Sequence, residues 1–502
     1  MSQGSPYLLR AKYFSVSLVL TATVMLLVGA LPAVRARLAS LTKLVALQSG
    51  GTVQITMSPN LYPEFNPNIT DYVVSAGADS SVKVTVNRTL TMPPSTRVSV
   101  DGQTPRKPPF TATVKNITPG QRFTVKVNSQ TYHVRRLPSD FPAWTAERPG
   151  TPQSEYYIFA PSIKVNFSAL RNYVTIADNN GVPVWWIRKE YSLIDAKLFD
   201  DNTLGWLSFA RNPPIAEVRA FDGSSLKTLL PDDEIGGSID NHEFLLLPNG
   251  NYLFIVNIAR GPVDLSPYGG PVNGQVLDHE LEEFTPAGKL VWHWSTFEHV
   301  PVSETDPNWR FVLNSSVADA YHINSVEFDG SGYIMSMRHM DAVIRIDRAT
   351  GRITWKLGGV NHLTNLRFVG DRYRSFGGQH DARILADGTL TVHDNGTLRG
   401  RAPRAVRYRL DLKNRTATLI EQVTDSQAPG SGCCGSARKL PTGNWVTEWG
   451  QNPMVTELAP DGKLVFRIQL LDSWFSYRAF PVPYGKITRE QLREGMDLQF
   501  PR

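Results

Sequence analysis

Between Gly51 and Phe480 apolar and polar residues alternate in short runs that break at Gly, Pro, Asn or Asp. Alternation with a period of two, cut at regular turn signals, predicts strands. The sharpest turns are Asn-Gly or Asp-Gly pairs between apolar runs, which predict hairpins. In Ser375–Thr397 a glycine-rich entry leads to a strand over Asp381–Ala386, an Asp387-Gly388 turn and a strand over Thr389–His393. NHEFLLLPNGNYLFIVN and YHINSVEFDGSGYIMSMR are built alike. His380, His242 and His322 each stand 8 residues before a turn glycine, namely Gly388, Gly250 and Gly330. Three histidines therefore open the first strand of three similar hairpins, and in symmetric repeats they can converge.

A longer unit repeats from about Tyr156. First halves such as FLLLPNGNYLFIV and ARILADGTLTVH are followed by second halves such as EEFTPAGKLVWHW and TELAPDGKLVFRI. About six copies, each of two hairpins, predict an all-β fold with a six-bladed β-propeller over residues 153–490. His242 and His322 are 80 residues apart but His322 and His380 only 58. The longer interval carries GPVDLSPYGGPVNG and FEHVPVSETDPNW, loops suited to covering one end of the propeller. Residues 50–137 alternate in shorter strands and predict a small β-sandwich, with its own His133 in a structural place. Pro138–Pro152 reads as a proline-rich linker.

Residues 1–45 differ. Tyr13–Val34 is almost entirely apolar behind Arg10 and Lys12, long enough to cross a bilayer. The stretch reads as a single-pass membrane anchor with the rest of the chain extracytoplasmic; a cleaved signal segment, and hence a secreted protein, is the alternative. Seven Asn-x-Ser/Thr sequons, at Asn68, Asn87, Asn116, Asn166, Asn314, Asn395 and Asn414, are compatible with that route.

Composition changes this picture little. The net charge is +6, but its Lys and Arg are scattered, so a mildly basic surface is expected and no nucleic-acid partner. The 2 cysteines are adjacent, Cys433 and Cys434. They exclude a thiolate zinc framework and leave two states open, a vicinal disulfide or two reduced thiols.

In a propeller the first strand of every blade lines the axis, so one register forms a ring. Arg338 lies 16 residues after His322 and returns to its level on the hairpin, while Asn324 lies two residues on. Asp394 returns beside His380 in the same way, and Gly435 takes the register position in the last repeat. Of the other histidines, His279 and His339 are the ones expected to support this ring. Three imidazoles suit a zinc or copper ion, which keeps a three-histidine metal enzyme open. Arg338 argues against it, because a fixed cation repels a metal. The second chemistry is an anion, sulfate or phosphate, held by Arg and His donors. One neutral imidazole then acts as nucleophile, its pKa lowered by cationic neighbours. The Gly377-Gly378 entry is expected to let a substrate approach closely.

NHEFLLLPNGN, HINSVEFDGSGYIMSMRHMDAVIRIDRATGRITWKLGG, QHDARILADG and CCGSARKLPTGNWVTEWG resemble the arylsulfotransferase family of secreted six-bladed propellers. The resemblance spans roughly Tyr156 to Phe480. It implies a sulfotransferase that moves a sulfuryl group from an aryl sulfate donor to a phenolic acceptor without a nucleotide cofactor. It further implies that His380, in GQHDA, is the transiently sulfated nucleophile, with His322, Asn324 and Arg338 as the sulfuryl-binding residues and His242 as the remaining central histidine. Residues 50–137 resemble cadherin-like sandwich modules instead. A non-catalytic surface protein that binds glycans or proteins is the alternative from another class.

Overall fold

The computed structural model describes residues 53–77, 79–163, 172–209, 214–230, 237–360, 363–472 and 474–502. The apolar stretch Tyr13–Val34 and the sequon at Asn166 lie outside them. Among the described residues no helix is long and apolar enough to cross a membrane.

The alternation in residues 53–136 produces two sheets. Val53–Ser58, Val82–Arg88 and Phe110–Val114 form one; Leu61–Tyr62, Asp71–Val74, Gln130–Arg136, Arg122–Val127 and Val98–Val100 form the other. Every second residue of Val82–Val86 points inward, and Val82, Val84 and Val86 pack with Ile55, Phe123, Val125 and Tyr132 in one core. Burial of such side chains contributes roughly 1.5–3 kcal/mol each. This is the expected β-sandwich.

The rest of the chain is built mainly from antiparallel four-stranded sheets, the fourth and fifth of which are joined into one nine-stranded sheet by Asn365–Val369, paired in parallel with both. The second consists of Ser192–Leu198, Leu204–Phe209, Ala216–Arg219 and Ser225–Leu229. The third is Ser238–Leu246, Tyr252–Val263, Gly274–Phe284 and Leu290–Trp294, and the fourth Ile323–Phe328, Gly332–Met337, Ala342–Asp347 and Ile353–Gly358. His380–Ile384, Thr389–Asp394, Arg404–Asp411 and Thr416–Val423 make the fifth, and Ser436–Lys439, Trp445–Glu448, Met454–Leu458 and Leu464–Leu470 the sixth. The first sheet takes Ser154–Ile163, Asn172–Asp178 and Pro183–Lys189, plus Trp474–Pro483 from the far end of the chain. The first strand of each sheet contacts the first strand of the next. Trp474–Pro483 contacts the leading strands of both the second and the sixth, which makes the arrangement propeller-like.

Two segments depart from expectation. Within the proline-rich stretch read as a linker, Trp144–Glu147 is a strand that pairs with Leu464–Leu470, so that stretch is part of the sixth sheet. Near the end of the chain Arg489–Gln499 is a helix, capped reciprocally by Thr488 and Gln491. It buries Leu492 and Met496 in the core of the first sheet. Arg489 and Arg493 clamp Asp71 of the sandwich at 2.9 and 2.7 Å, so the helix ties the two units together. Burial alone would raise the Asp71 carboxyl, but the two guanidinium groups more than offset it and bring it down to about 2.

Candidate active site

The leading strands of the second to fifth sheets all carry a register shift, between Ile194 and Lys197, Ile239 and Phe244, Ile323 and Ser325, and His380 and Arg383. Such bulges re-aim side chains. Asp195, His322 and Asp381 sit at or beside these shifts with φ of 57°, 52° and 54°, a left-handed conformation that costs a non-glycine residue on the order of 1 kcal/mol.

The histidines converge as their spacing predicts. The rings of His242 and His322 lie 4.8 Å apart, and Tyr477 stands between His242 and His380 with its centroid 6.0 and 6.2 Å from theirs. His380 is 1% exposed. Its Nδ1 lies 3.2 Å from the Gly378 carbonyl and 3.2 Å from Asn395 Nδ2, while its Nε2 accepts from the backbone N–H of Cys434 at 3.2 Å. A proton on Nδ1 donated to Gly378 leaves the Nε2 lone pair to accept from Cys434, while the two protons of Asn395 Nδ2 go to the Gly378 and Cys434 carbonyls. Burial first, then Arg338, His242, His322 and Arg478, hold the imidazole well below its ordinary pKa. It is neutral at pH 7.

Arg338 returns to His322 as expected, its backbone N–H donating to the His322 carbonyl at 3.0 Å. Its guanidinium donates to Gly432 O at 2.5 Å, stacks over Trp309 at 4.2 Å, and leaves a buried Nε without a partner among the described residues. Trp309 ends one of the two inserted loops, so that loop does reach the histidine end. Burial brings Arg338 down to about 10, still a cation.

Asn324 is placed differently from expectation. The register shift after Ile323 interrupts the period of two, and Asn324 Nδ2 donates to the Gln379 carbonyl at 2.8 Å, anchoring the strand that begins at His380. Its buried Oδ1 has no partner among the described residues. The two glycines before His380 also differ from expectation. A Cβ on Gly377 would lie 2.6 Å from Arg399, and one on Gly378 2.9 Å from Thr397, so both allow close packing of the chain itself. At the register position of the sixth sheet a Cβ on Gly435 would meet the His393 ring at 2.4 Å. Asp394 does return beside His380, but it is occupied by Arg404 and the Gly377 N–H.

Sequence reasoning missed four groups. Asn395 Nδ2 donates to the carbonyls of Gly378 and Cys434, both at 2.9 Å, linking the two sides of His380. Asp240 accepts from His242 Nδ1 at 2.6 Å. Asp319 accepts from His322 Nδ1 at 2.5 Å and from His279 Nε2 at 2.9 Å. Tyr477 comes from the returning C-terminal strand. The supporting roles expected of His279 and His339 are met, since His339 Nδ1 donates to the Asp319 carbonyl at 2.5 Å. Burial first, then His322 and Arg338, take His339 down to about 3.

The adjacent cysteines are joined in a vicinal disulfide, with Cys434 at φ 68°. Asp319, His322 and His339 offer three atoms close enough together for a metal ion. Their fit to one is poor: the Nδ1 atoms of both rings are spent on Asp319, and His339 Nε2 lies 2.8 Å from the Arg338 guanidinium.

Several solved structures are similar to this chain at low identity. They include a protein of unknown function from Bacteroides caccae (13% identity, 66% of this chain and 99% of that one, TM-score 0.41). The periplasmic gluconolactonase PpgL of Pseudomonas aeruginosa shares 13% identity over 81% of this chain and 97% of its own, TM-score 0.35. Hydrazine synthase of Kuenenia stuttgartiensis shares 12% over 78% and 96%, TM-score 0.37. No curated protein matches the chain. The profile of the family described as Arylsulfotransferase (ASST) matches residues 212–470, just over half of the chain, including every histidine and arginine of the cluster around His380 except Arg478. The chain belongs to the arylsulfotransferase family.

Proposed function

We propose that this protein transfers a sulfuryl group from an aryl sulfate to a phenolic acceptor through a sulfohistidine at His380, without a nucleotide cofactor. The observation that carries the reading is a neutral, buried imidazole gripped on its Nδ1 side, its Nε2 lone pair facing the Cys434 N–H at 3.2 Å and Arg338, His242 and His322 near enough to lower its pKa. His380 Nε2 attacks sulfur, the N–S bond forms, and the S–O bond to the aryl group breaks. The sulfuryl oxygens take hydrogen bonds from the free Nε of Arg338 and from protonated His242, with His322 beside them, as charge builds on them. A neutral nucleophile with a fixed cation beside it suits an anionic donor that a carboxylate nucleophile would repel. Asn324 acts by holding the entry to His380.

The same reading takes the six sheets as the blades of one closed propeller over residues 153–490, with residues 50–137 as a separate cadherin-like module. It takes Tyr13–Val34 as the anchor of an extracytoplasmic, membrane-bound enzyme. Turnover of 4-nitrophenyl sulfate by the purified protein with added phenol tests the activity: release of nitrophenol together with phenyl sulfate supports it. Binding of glycans without turnover would favour the non-catalytic alternative. Extraction of the exported chain by alkaline carbonate would contradict the anchor.

A further inference from the structure

Asp319 is a carboxylate shared by imidazoles from separate parts of the chain. One oxygen takes His322 Nδ1 at 2.5 Å and the other takes His279 Nε2 at 2.9 Å from the third sheet. Its backbone carbonyl takes His339 Nδ1. The carboxylate is thus fixed in direction, and it fixes His322 with Nδ1 protonated and Nε2 pointing away. Among the described residues that Nε2 has no protein partner, and 23% of the His322 side chain stays exposed beside fully enclosed His380. An oriented imidazole with a carboxylate behind it and a free nitrogen in front is built to give and take a proton.

On the sulfuryl-transfer reading above, we infer that Asp319 is a positioning residue that makes His322 the proton donor to the departing aryl oxygen and the proton acceptor for the incoming phenol. In the first half-reaction the S–O bond breaks, its electron pair stays on the aryl oxygen, and the proton on His322 Nε2 passes to that oxygen. A neutral phenol leaves, and His322 is left neutral with Nδ1–H still on Asp319. In the second half, the acceptor phenol gives its proton to His322 Nε2 while its oxygen attacks the sulfur on His380. The N–S bond breaks, its pair returns to His380, and no outside acid, base or oxidant is required. Burial first, then His242 and Arg338, lower His322 while Asp319 opposes them. The negative charge of a bound sulfate ester then favours its protonation.

Asp240 behind His242 has the same form, at 2.6 Å, and is the natural control. The test compares wild type, Asp319→Asn and Asp240→Asn on donors from 4-nitrophenyl to 4-methylphenyl sulfate. Nitrophenolate leaves without a proton, whereas methylphenolate needs one. Asp319→Asn should lose about a hundredfold in kcat on 4-methylphenyl sulfate and less than about threefold on 4-nitrophenyl sulfate. Asp319→Glu should recover most of that loss. If Asp319→Asn does not fold, His322→Gln should show the same dependence on the leaving group. An equal loss on every donor, or a leaving-group dependence confined to Asp240→Asn, overturns the inference and leaves sulfuryl transfer standing. A wild-type chain that uses no aryl sulfate at all ends both.

Discussion

The backbone N–H of Cys434 lies 3.2 Å from Nε2 of His380, the nitrogen that the proposed transfer uses as nucleophile. The same short loop places the Gly432 carbonyl on Arg338. A loop that touches both His380 and Arg338 sets the shape of the site, and the vicinal disulfide lies within that loop.

Removal of the disulfide should therefore affect transfer more than folding. Bridging two adjacent residues closes a minimal loop, so its loss should cost only about 1 kcal/mol of stability. The double variant Cys433→Ser, Cys434→Ser should lose about tenfold in kcat, the worth of one misplaced hydrogen bond. Steady-state kinetics and urea denaturation of the same preparation read both. A stability loss several times larger with unchanged kcat would contradict this account of the loop.

Asn395 should tolerate no apolar replacement. Its Nδ2 serves two buried carbonyls and its Oδ1 lies 3.1 Å from His393 Nε2. Asn395→Leu should destabilise the fold by about 2 kcal/mol and lower transfer, because Gly378 and Cys434 lose their common donor. A fully active variant of wild-type stability would contradict it. Asn395 is also fully buried, unlike the exposed sequons at Asn68, Asn87, Asn116, Asn314 and Asn414. Glycan mapping of the exported chain should find Asn395 bare.

The pH dependence follows from the direction of the His380 shift. A histidine held well below its ordinary value stays neutral as the pH falls through 6.5. Formation of sulfated enzyme from donor alone should therefore show no loss with a midpoint near 6.5 between pH 8 and 5.5. Rapid-quench measurement across that range checks it; a tenfold fall per pH unit below about 6.5 would mean that His380 titrates normally.

Asp71 gives a prediction on stability. Its carboxyl is lowered from 3.8 to about 2 by Arg493 and Arg489. A depressed acid contributes stability that is complete above its unfolded pKa and lost as the pH falls towards the folded value. Arg493→Ala should cost about 1–2 kcal/mol at pH 7, since Arg489 stays on Asp71, with the difference from wild type shrinking between about pH 4 and 2. Denaturant titrations at several pH values test this.

Much of this was legible in the sequence because it is local. Asp387-Gly388 and Asn249-Gly250 set their hairpins by turn chemistry alone, and a constant offset from those turns brought His242, His322 and His380 together. What depends on the chain meeting itself was hidden. Trp144–Glu147 is a strand only because Leu464–Leu470 offers its edge. Asp319 acquires meaning from His279, 40 residues upstream on a strand of the third sheet. Tyr477 reaches the site because the C-terminal strand returns to the first sheet. Asn324 was misdirected because alternation fails at a bulge, and nothing in the residue types of HINS marks one.

The central claim is a covalent sulfuryl group on His380, and the most direct test is peptide mass spectrometry of the full chain incubated with 4-nitrophenyl sulfate and no acceptor. The account predicts a labile sulfuryl adduct on the peptide containing His380, discharged when phenol is added and absent from His380→Ala. Loss of Arg338 should slow its formation by the equivalent of about 3–4 kcal/mol of barrier without moving it. An adduct on His242 or His322 instead, or full transfer activity in His380→Ala, would contradict it.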